Sequence, residues 1–434
     1  MEVLTIVQSN PHYMSGLMIG IFVAVLAISI YFLKTAWSKS GETATPDNIS
    51  RIKEAQIIEL TNRWTGVTAG KKGLTGSIGI LPSDQEILIN INVFATRLTG
   101  YLGPFASGVF DGDAATRFAL ASGSRCLVLE IGRYENGLEP KLLYRDQFGV
   151  KLSLNDGSIQ SVAKSIAGRA FNATSEGAPA SVADDPLFLV LYIASAPDQA
   201  TQPREYMRFL GSIARELQPI RDMIVGMTPQ GDFRGQKLEG ELFFKHRSVF
   251  SRKIITLCNA DTSGFRRLDA LGLKGELGES QNLDTLVNVR LVSPTSQAGF
   301  GVTSTTSGNT TPAAYITTPD YWLNTPPDQL ADAQSKTKRA WTLCMRPVST
   351  PTDEMSSEQL KKLLTTYGVH AIPITLFDTP TKTDVFCGKG ATYNTMAWNT
   401  KPLLLRYVPP KPIAIQKPSP QTNSGGGFIQ TPKF

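Results

Sequence analysis

The sequence predicts an α/β protein in which strands alternate with helices around a parallel sheet or barrel, behind one membrane-spanning helix. Three observations carry this. The stretch from Gln85 to Gly132 reads as strand, loop, helix, strand. Later segments repeat that unit. Near the N-terminus, Met14 to Leu33 is an uncharged apolar run of the length, about 20 residues, that crosses a hydrocarbon core.

The apolar run comes after a short tail, residues 1–13, that contains Glu2 and no Lys or Arg. No small-residue cleavage site succeeds it, which separates it from a secretory signal. Tyr13, Tyr31 and Trp37 sit near its ends, where amphipathic rings favour the interface. Lys34, Lys39, Arg51 and Lys53 come after it, so the positive-inside rule places the large domain on the cytosolic side. Residues 34–63 read as a polar tether and a short amphipathic helix, Arg51 to Arg63, with Ile52, Ala55, Ile58 and Leu60 on one side. The glycine-rich GVTAGKKGLTGSIG beyond it lacks the spacing and the Ser or Thr of a phosphate-binding loop, and reads as a turn-rich loop.

Within the opening unit, EILININVFATRL alternates as a strand. DGDAATRFALASG is a helix with Asp111 or Asp113 as its cap and Gly123 as its stop, and SRCLVLEIG is a strand covered on both faces. Strands are then expected at Lys141–Arg145, Leu187–Ala194, Lys253–Leu257, Thr285–Val292 and Val369–Phe377. Helices are expected at Ser158–Phe171, Pro203–Leu217 and Ser357–Tyr367, the last closed by Gly368. Ser, Thr, Gly and Pro dominate residues 293–328, which read as a long insertion. Residues 408–434 form a Pro- and Gly-rich extended tail without a core of its own; Ile413, Ile415, Phe428, Ile429 and Phe434 make it a candidate docking segment.

Composition excludes several classes. Of 434 residues, 41% are hydrophobic and 18% charged, as in ordinary globular proteins. The net charge of +6 is mild for this length, and no basic run suggests nucleic acid as a partner. Four scattered cysteines without a C-x-x-C argue against a disulfide framework or a zinc site. The sequence indicates no cofactor.

Two motifs carry a family resemblance. The run FALASGSRCLVLEIG is similar to the helix–strand corner of phosphoinositide-specific phospholipase C, where a helix ending in Gly leads into R-C-[LV]-E-[LI]-D. Far downstream, AWNTKPLLLR, Ala397 to Arg406, resembles that family's closing G-Y-x-L-K-P-x-x-L-R. The resemblance implies a distorted TIM (β/α) barrel of phospholipase-C type over residues 64–407, with the insertion at 293–328 where the family splits its barrel.

The resemblance also implies a chemistry that the residues here do not supply. The family uses two histidines, one as general base and one to stabilise the phosphoryl transition state. Aligning its S-H-N-T-Y on N-I-N-V-F puts Ile91 at the first histidine and Asn92 at the asparagine. The second histidine falls near Tyr144 or Arg145. The chain has three histidines. His12 precedes the apolar span; His246, between Lys245 and Arg247, reads as basic surface; His370 reads as a hydrogen-bonded barrel histidine. The family's calcium positions become Asn92, Val128, Glu130 and Tyr192, of which Asn92 and Glu130 are vestiges of a metal site. Calcium wants about six to eight oxygens. The expectation is therefore no catalytic residue and no bound metal.

Together, anchor, barrel and missing histidines indicate a membrane-anchored, catalytically inactive phospholipase-C-like protein with a structural role. Its expected partners are the bilayer, through residues 14–33, and other protein subunits, met by the barrel surface, the insertion and the tail. Degenerate barrels of this kind are similar to open reading frames of large double-stranded DNA viruses. That implies a minor capsid or membrane-linking component lying between a virion's inner membrane and its capsid. The alternative is an active or lipid-binding phosphoinositide phosphodiesterase-like protein.

Overall fold

The computed structural model describes residues 45–64, 73–74, 81–104, 107–133, 139–146, 148–173, 178–226, 241–294, 312–348, 355–377, 393 and 397–410. The apolar stretch 14–33, His12 and the tail beyond residue 410 lie outside the described residues. Among the described residues, no helix is long and apolar enough to cross a membrane.

Helix α1, Pro46–Trp64, opens the described chain. It starts five residues before the predicted amphipathic helix, taking in the end of the expected tether, and packs on the barrel. Its buried residues are Ile52, Gln56, Leu60 and Trp64, a strict four-residue spacing that selects one stripe. Ile58, expected on that face, is instead 61% exposed. Gln56 accepts a hydrogen bond from the amide of Val109, and the Lys53 ammonium pairs with Asp111.

The predicted first strand is broken into parts. A 3-10 turn at Leu88–Asn90 leads into β1, Ile91–Val93, which pairs antiparallel with β11, Trp398–Thr400, with Asn92 opposite Asn399. Only β2, Ala95–Thr96, one residue further on past Phe94, joins the main sheet. Alternating apolar residues run through all of this because the chain stays buried while it changes partner, so the pattern conceals the break.

Helix α2, Gly112–Ala121, is capped by Asp111, whose carboxylate accepts the amides of Asp113 and Ala114, and the chain turns at Gly123 with φ of 85°. Strand β3, Cys126–Gly132, is buried throughout. The short β4, Lys141–Leu142, pairs antiparallel with β3 and stays off the ring. Then come α3, Ile159–Arg169, β5, Leu187–Ile193, and α4, Pro203–Glu216. Strand β6 is Ile254–Cys258. Thr285 and Leu286, the start of the next predicted strand, instead end the short helix α5, Leu283–Leu286, before β7, Val289–Val292; Asn282 caps that turn.

The predicted insertion contains a barrel strand. Strand β8, Ala314–Thr317, and helix α6, Pro319–Leu323, both fall inside residues 293–328. Ala-Tyr-Ile-Thr is strand-forming, but the Ser, Thr and Pro around it swamp the signal. Helix α7, Leu330–Arg339, β9, Trp341–Cys344, α8, Ser357–Thr365, and β10, Pro373–Ile374, complete the chain's alternation.

The ring order is β10-β2-β3-β5-β6-β7-β8-β9, with every neighbouring pair parallel. Leu343 of β9 makes one parallel bridge to Ala371, just ahead of β10, so eight parallel strands form a nearly closed barrel. Alternation along the strands sorts two cores. Cys126 and Val128 of β3, Phe188 and Val190 of β5, and Trp341 and Leu343 of β9 pack inside the ring. Leu127, Leu129 and Ile131 pack outward against the helices, with Ala115, Val162 and Ile213. Each such Leu, Ile or Val is worth roughly 1.5–3 kcal/mol when fully buried. The amino end of the ring is stoppered by aromatics: Trp341 stacks on Phe188 at 5.2 Å and on Phe243 at 5.9 Å, and Trp398 of β11 lies 6.0 Å from Phe188.

Candidate functional site

Barrels of this build carry their chemistry at the carboxyl ends of the strands. Here the first ring strand ends at Arg97, immediately after β2, and not at Ile91 or Asn92. Ala95 is level with Cys126, so Asn92 lies three residues toward the amino end, while Glu130 lies four residues beyond Cys126 toward the mouth. Asn92 and Glu130 therefore belong to opposite ends of the barrel. The alignment on N-I-N-V-F is corrected accordingly; the segment that enters the ring is F-A-T-R.

Arg97 and Glu130 face each other inside the mouth. The Arg97 Nε donates to Glu130 Oε1 at 2.8 Å, and its Nη2 lies 2.7 Å from the same oxygen. Their side chains are only 6% and 8% exposed, so this is a buried ion pair rather than a surface one. Arg97 Nη1 also donates to the carbonyl of Arg346, beyond the end of β9, at 3.2 Å. One guanidinium thus links the carboxyl end of β3 to that of β9, passing over β10. Arg346 itself pairs with Asp320 at 3.0 Å.

Tyr192 stands opposite Glu130 in the β3–β5 register. Burial pushes its phenol above the usual tyrosine range, the Glu130 charge adds to that, and Arg97 partly offsets it. A phenol held protonated is a hydrogen-bond donor, not an anionic ligand. Val128, level with Val190, offers no donor.

Tyr144 is fully buried, its ring 5.1 Å from that of Tyr101, and Arg145 donates to the carbonyl of Arg133 at 2.9 Å. Both are engaged in holding the loops beside β4.

Both described histidines lie toward the amino end. His246 caps a 3-10 turn, its Nδ1 accepting the amide of Ser248, and its Nε2 is 3.5 Å from Glu86, which also binds Arg247. It is partly exposed among charges, as the surface reading expects. His370 is buried, with Nδ1 at Thr342 and Nε2 2.9 Å from the carbonyl of Ile89. It is a hydrogen-bonded barrel histidine. Burial drives its pKa well below the usual histidine value, helped by the nearby Lys401 charge.

The two motif arginine and lysine residues are structural. Arg125 is fully buried and donates to the carbonyls of Ala170, Pro186 and Asp185. Lys401 is fully buried and donates to the carbonyl of Thr337 at 2.7 Å. Burial lowers its pKa well below the ordinary lysine value.

The four calcium positions do not come together at the mouth. The Glu130 carboxylate is bonded to a guanidinium, Tyr192 beside it in the register is a neutral phenol, and Asn92 is at the other end. Among the described residues no three or more His, Cys, Asp or Glu side chains cluster as metal ligands. Sequence reasoning missed Arg97. The signal available was its place four residues after Val93, in a run that carries no other charge after Glu86.

No protein-family model matches the sequence, and no curated protein matches it either. Among solved structures, PLC21 of L. pealei is similar with a TM-score of 0.51 at 14% identity, over 78% of this chain and 39% of that one. PLC21 of S. officinalis gives 0.48 at 13% identity, over 76% and 40%. A calcium-dependent phosphoinositol-specific phospholipase C from Pseudomonas sp. gives 0.39 at 12% identity, over 69% and 93%. The match spans about two fifths of the length of the PLC21 chains. In fold, the chain is similar to the phospholipase C barrel: α/β, with eight parallel strands in a nearly closed ring.

Proposed function

We propose that this chain is a catalytically inactive phospholipase-C-like barrel, anchored in a bilayer by residues 14–33, whose task is to join that membrane to other protein subunits. The observation that supports it most is the Arg97–Glu130 pair. A general base or a metal-activated nucleophile needs a group free to take up a proton or an ion at the mouth. The Glu130 carboxylate, which β3 presents to the mouth, is instead neutralised by an arginine of the same chain. Neither described histidine reaches that end of the barrel.

Exposed apolar residues support the subunit-binding half of the reading. Leu403, Leu404 and Val408 are 66%, 82% and 55% exposed within six positions of one another. Large exposed side chains grouped so closely commonly mark contact surfaces. The virion of a large DNA virus, between inner membrane and capsid, is the setting we propose for such a linker.

Two measurements test this. Residues 40–434 should give no phosphatidylinositol hydrolysis, with or without calcium; turnover that Glu130→Gln abolishes would overturn inactivity. In purified particles of its source, the protein should sediment with the membrane and shell fraction. Its absence from particles would defeat the virion setting and leave inactivity to be judged by the assay.

A further inference from the structure

We infer that Arg97 is the resident cation of the barrel mouth, a covalently attached replacement for a divalent ion, so that this barrel holds its mouth together without calcium. This goes beyond the proposed function, because it concerns what organises the mouth whatever the domain does. Three facts point to it. Glu130 is the acidic residue that points into the mouth from β3, and its Oε1 is within 2.8 Å of two guanidinium nitrogens. The same guanidinium reaches the carbonyl of Arg346 at 3.2 Å, so it gathers oxygens from two separate strands as a metal ion would. Both partners are nine-tenths or more buried, in a setting where a lone charge is costly and a compensated pair is retained.

An arginine differs from an ion in one respect that matters here. An ion leaves when chelated and returns when supplied, whereas a side chain is always present at full occupancy. Its guanidinium stays charged across the whole accessible pH range and presents several donors in a fixed plane. The mouth of this barrel should therefore be indifferent to calcium, and its geometry should depend on residue 97.

Thermal unfolding of the full chain in detergent or nanodiscs tests this, in millimolar calcium chloride and in EGTA. Wild type should unfold within about 1 °C of the same temperature in both. Arg97→Met, which leaves the Glu130 carboxylate buried alone, should lower Tm by about 5 °C or more. Arg97→Met combined with Glu130→Gln should regain at least half of that loss, because the stranded charge is gone. If Arg97→Met does not fold, the double variant is compared with Glu130→Gln alone, and should be the more stable of the two. Wild-type Tm that rises by several degrees with calcium would overturn the inference. So would a double variant no more stable than the single one with which it is compared.

Discussion

The indole N–H of Trp64 donates to the carbonyl of Leu376 at 3.0 Å, fastening the end of α1 to the chain just beyond β10. The indole is fully buried at that contact. The short amphipathic helix expected after the polar tether is thus packed on the barrel as one of its elements.

Trp64→Ala should therefore destabilise the whole domain, by about 3–5 kcal/mol, through the cavity and the stranded carbonyl. Trp64→Phe should cost less, about 1–3 kcal/mol, because most of the packing remains. Urea denaturation followed at a barrel tryptophan reads both. An unchanged midpoint for Trp64→Ala would place α1 outside the cooperative unit.

Stability should fall as pH drops below about 6.5, the ordinary histidine value. His370 is held neutral by burial and by the Lys401 charge, so its folded pKa lies below its unfolded one. In the window between those two values the unfolded chain binds the extra proton, and protonation favours unfolding. The loss approaches about 1.4 kcal/mol per pH unit within that window. Replacing His370→Gln should flatten this slope while lowering stability at pH 7. Denaturant midpoints from pH 7 to pH 5 measure it; a wild-type slope equal to that of the variant would refute the assignment to His370.

Orientation across the membrane is readable at Asn172, which begins an Asn-Ala-Thr sequon and is exposed just past α3. With the barrel on the cytosolic side, expression in a eukaryotic cell should leave Asn172 unglycosylated. A mobility shift on gels that Asn172→Gln and glycosidase both remove would show the opposite orientation.

The parts legible in the sequence are those in which one environment persists along a whole element. Strands β3 and β5 are covered on both faces from end to end, so their apolar runs mark them to within a residue or two. Helices α2 and α3 carry their caps, Asp111 and Ser158, in the positions that composition suggests. Legibility fails where environment changes within a run. From Ile87 to Ala95 the chain passes from beneath the barrel into its wall without leaving the core, and no polar residue marks the crossing except Asn90 and Asn92, both buried. That continuity draws the alignment several residues upstream and hides Arg97. Strand β8 escapes for the opposite reason: only four residues long, it sits among Ser, Thr and Pro that read as loop. The Arg97–Glu130 pair is beyond sequence reasoning altogether, since it depends on which two strands are neighbours.

The single bridge between Leu343 and Ala371 makes β9 and β10 the least firmly joined neighbours in the ring. A fluctuation that parts them breaks fewer backbone hydrogen bonds than parting β3 from β5, so amides there should exchange with solvent soonest among the ring strands. Once parted, the cylinder becomes a curved sheet with two unpaired margins. Margins of that kind accept strands from other molecules. The Arg97 guanidinium, reaching past β10 to the carbonyl of Arg346, bridges that joint with a contact that does not depend on strand pairing.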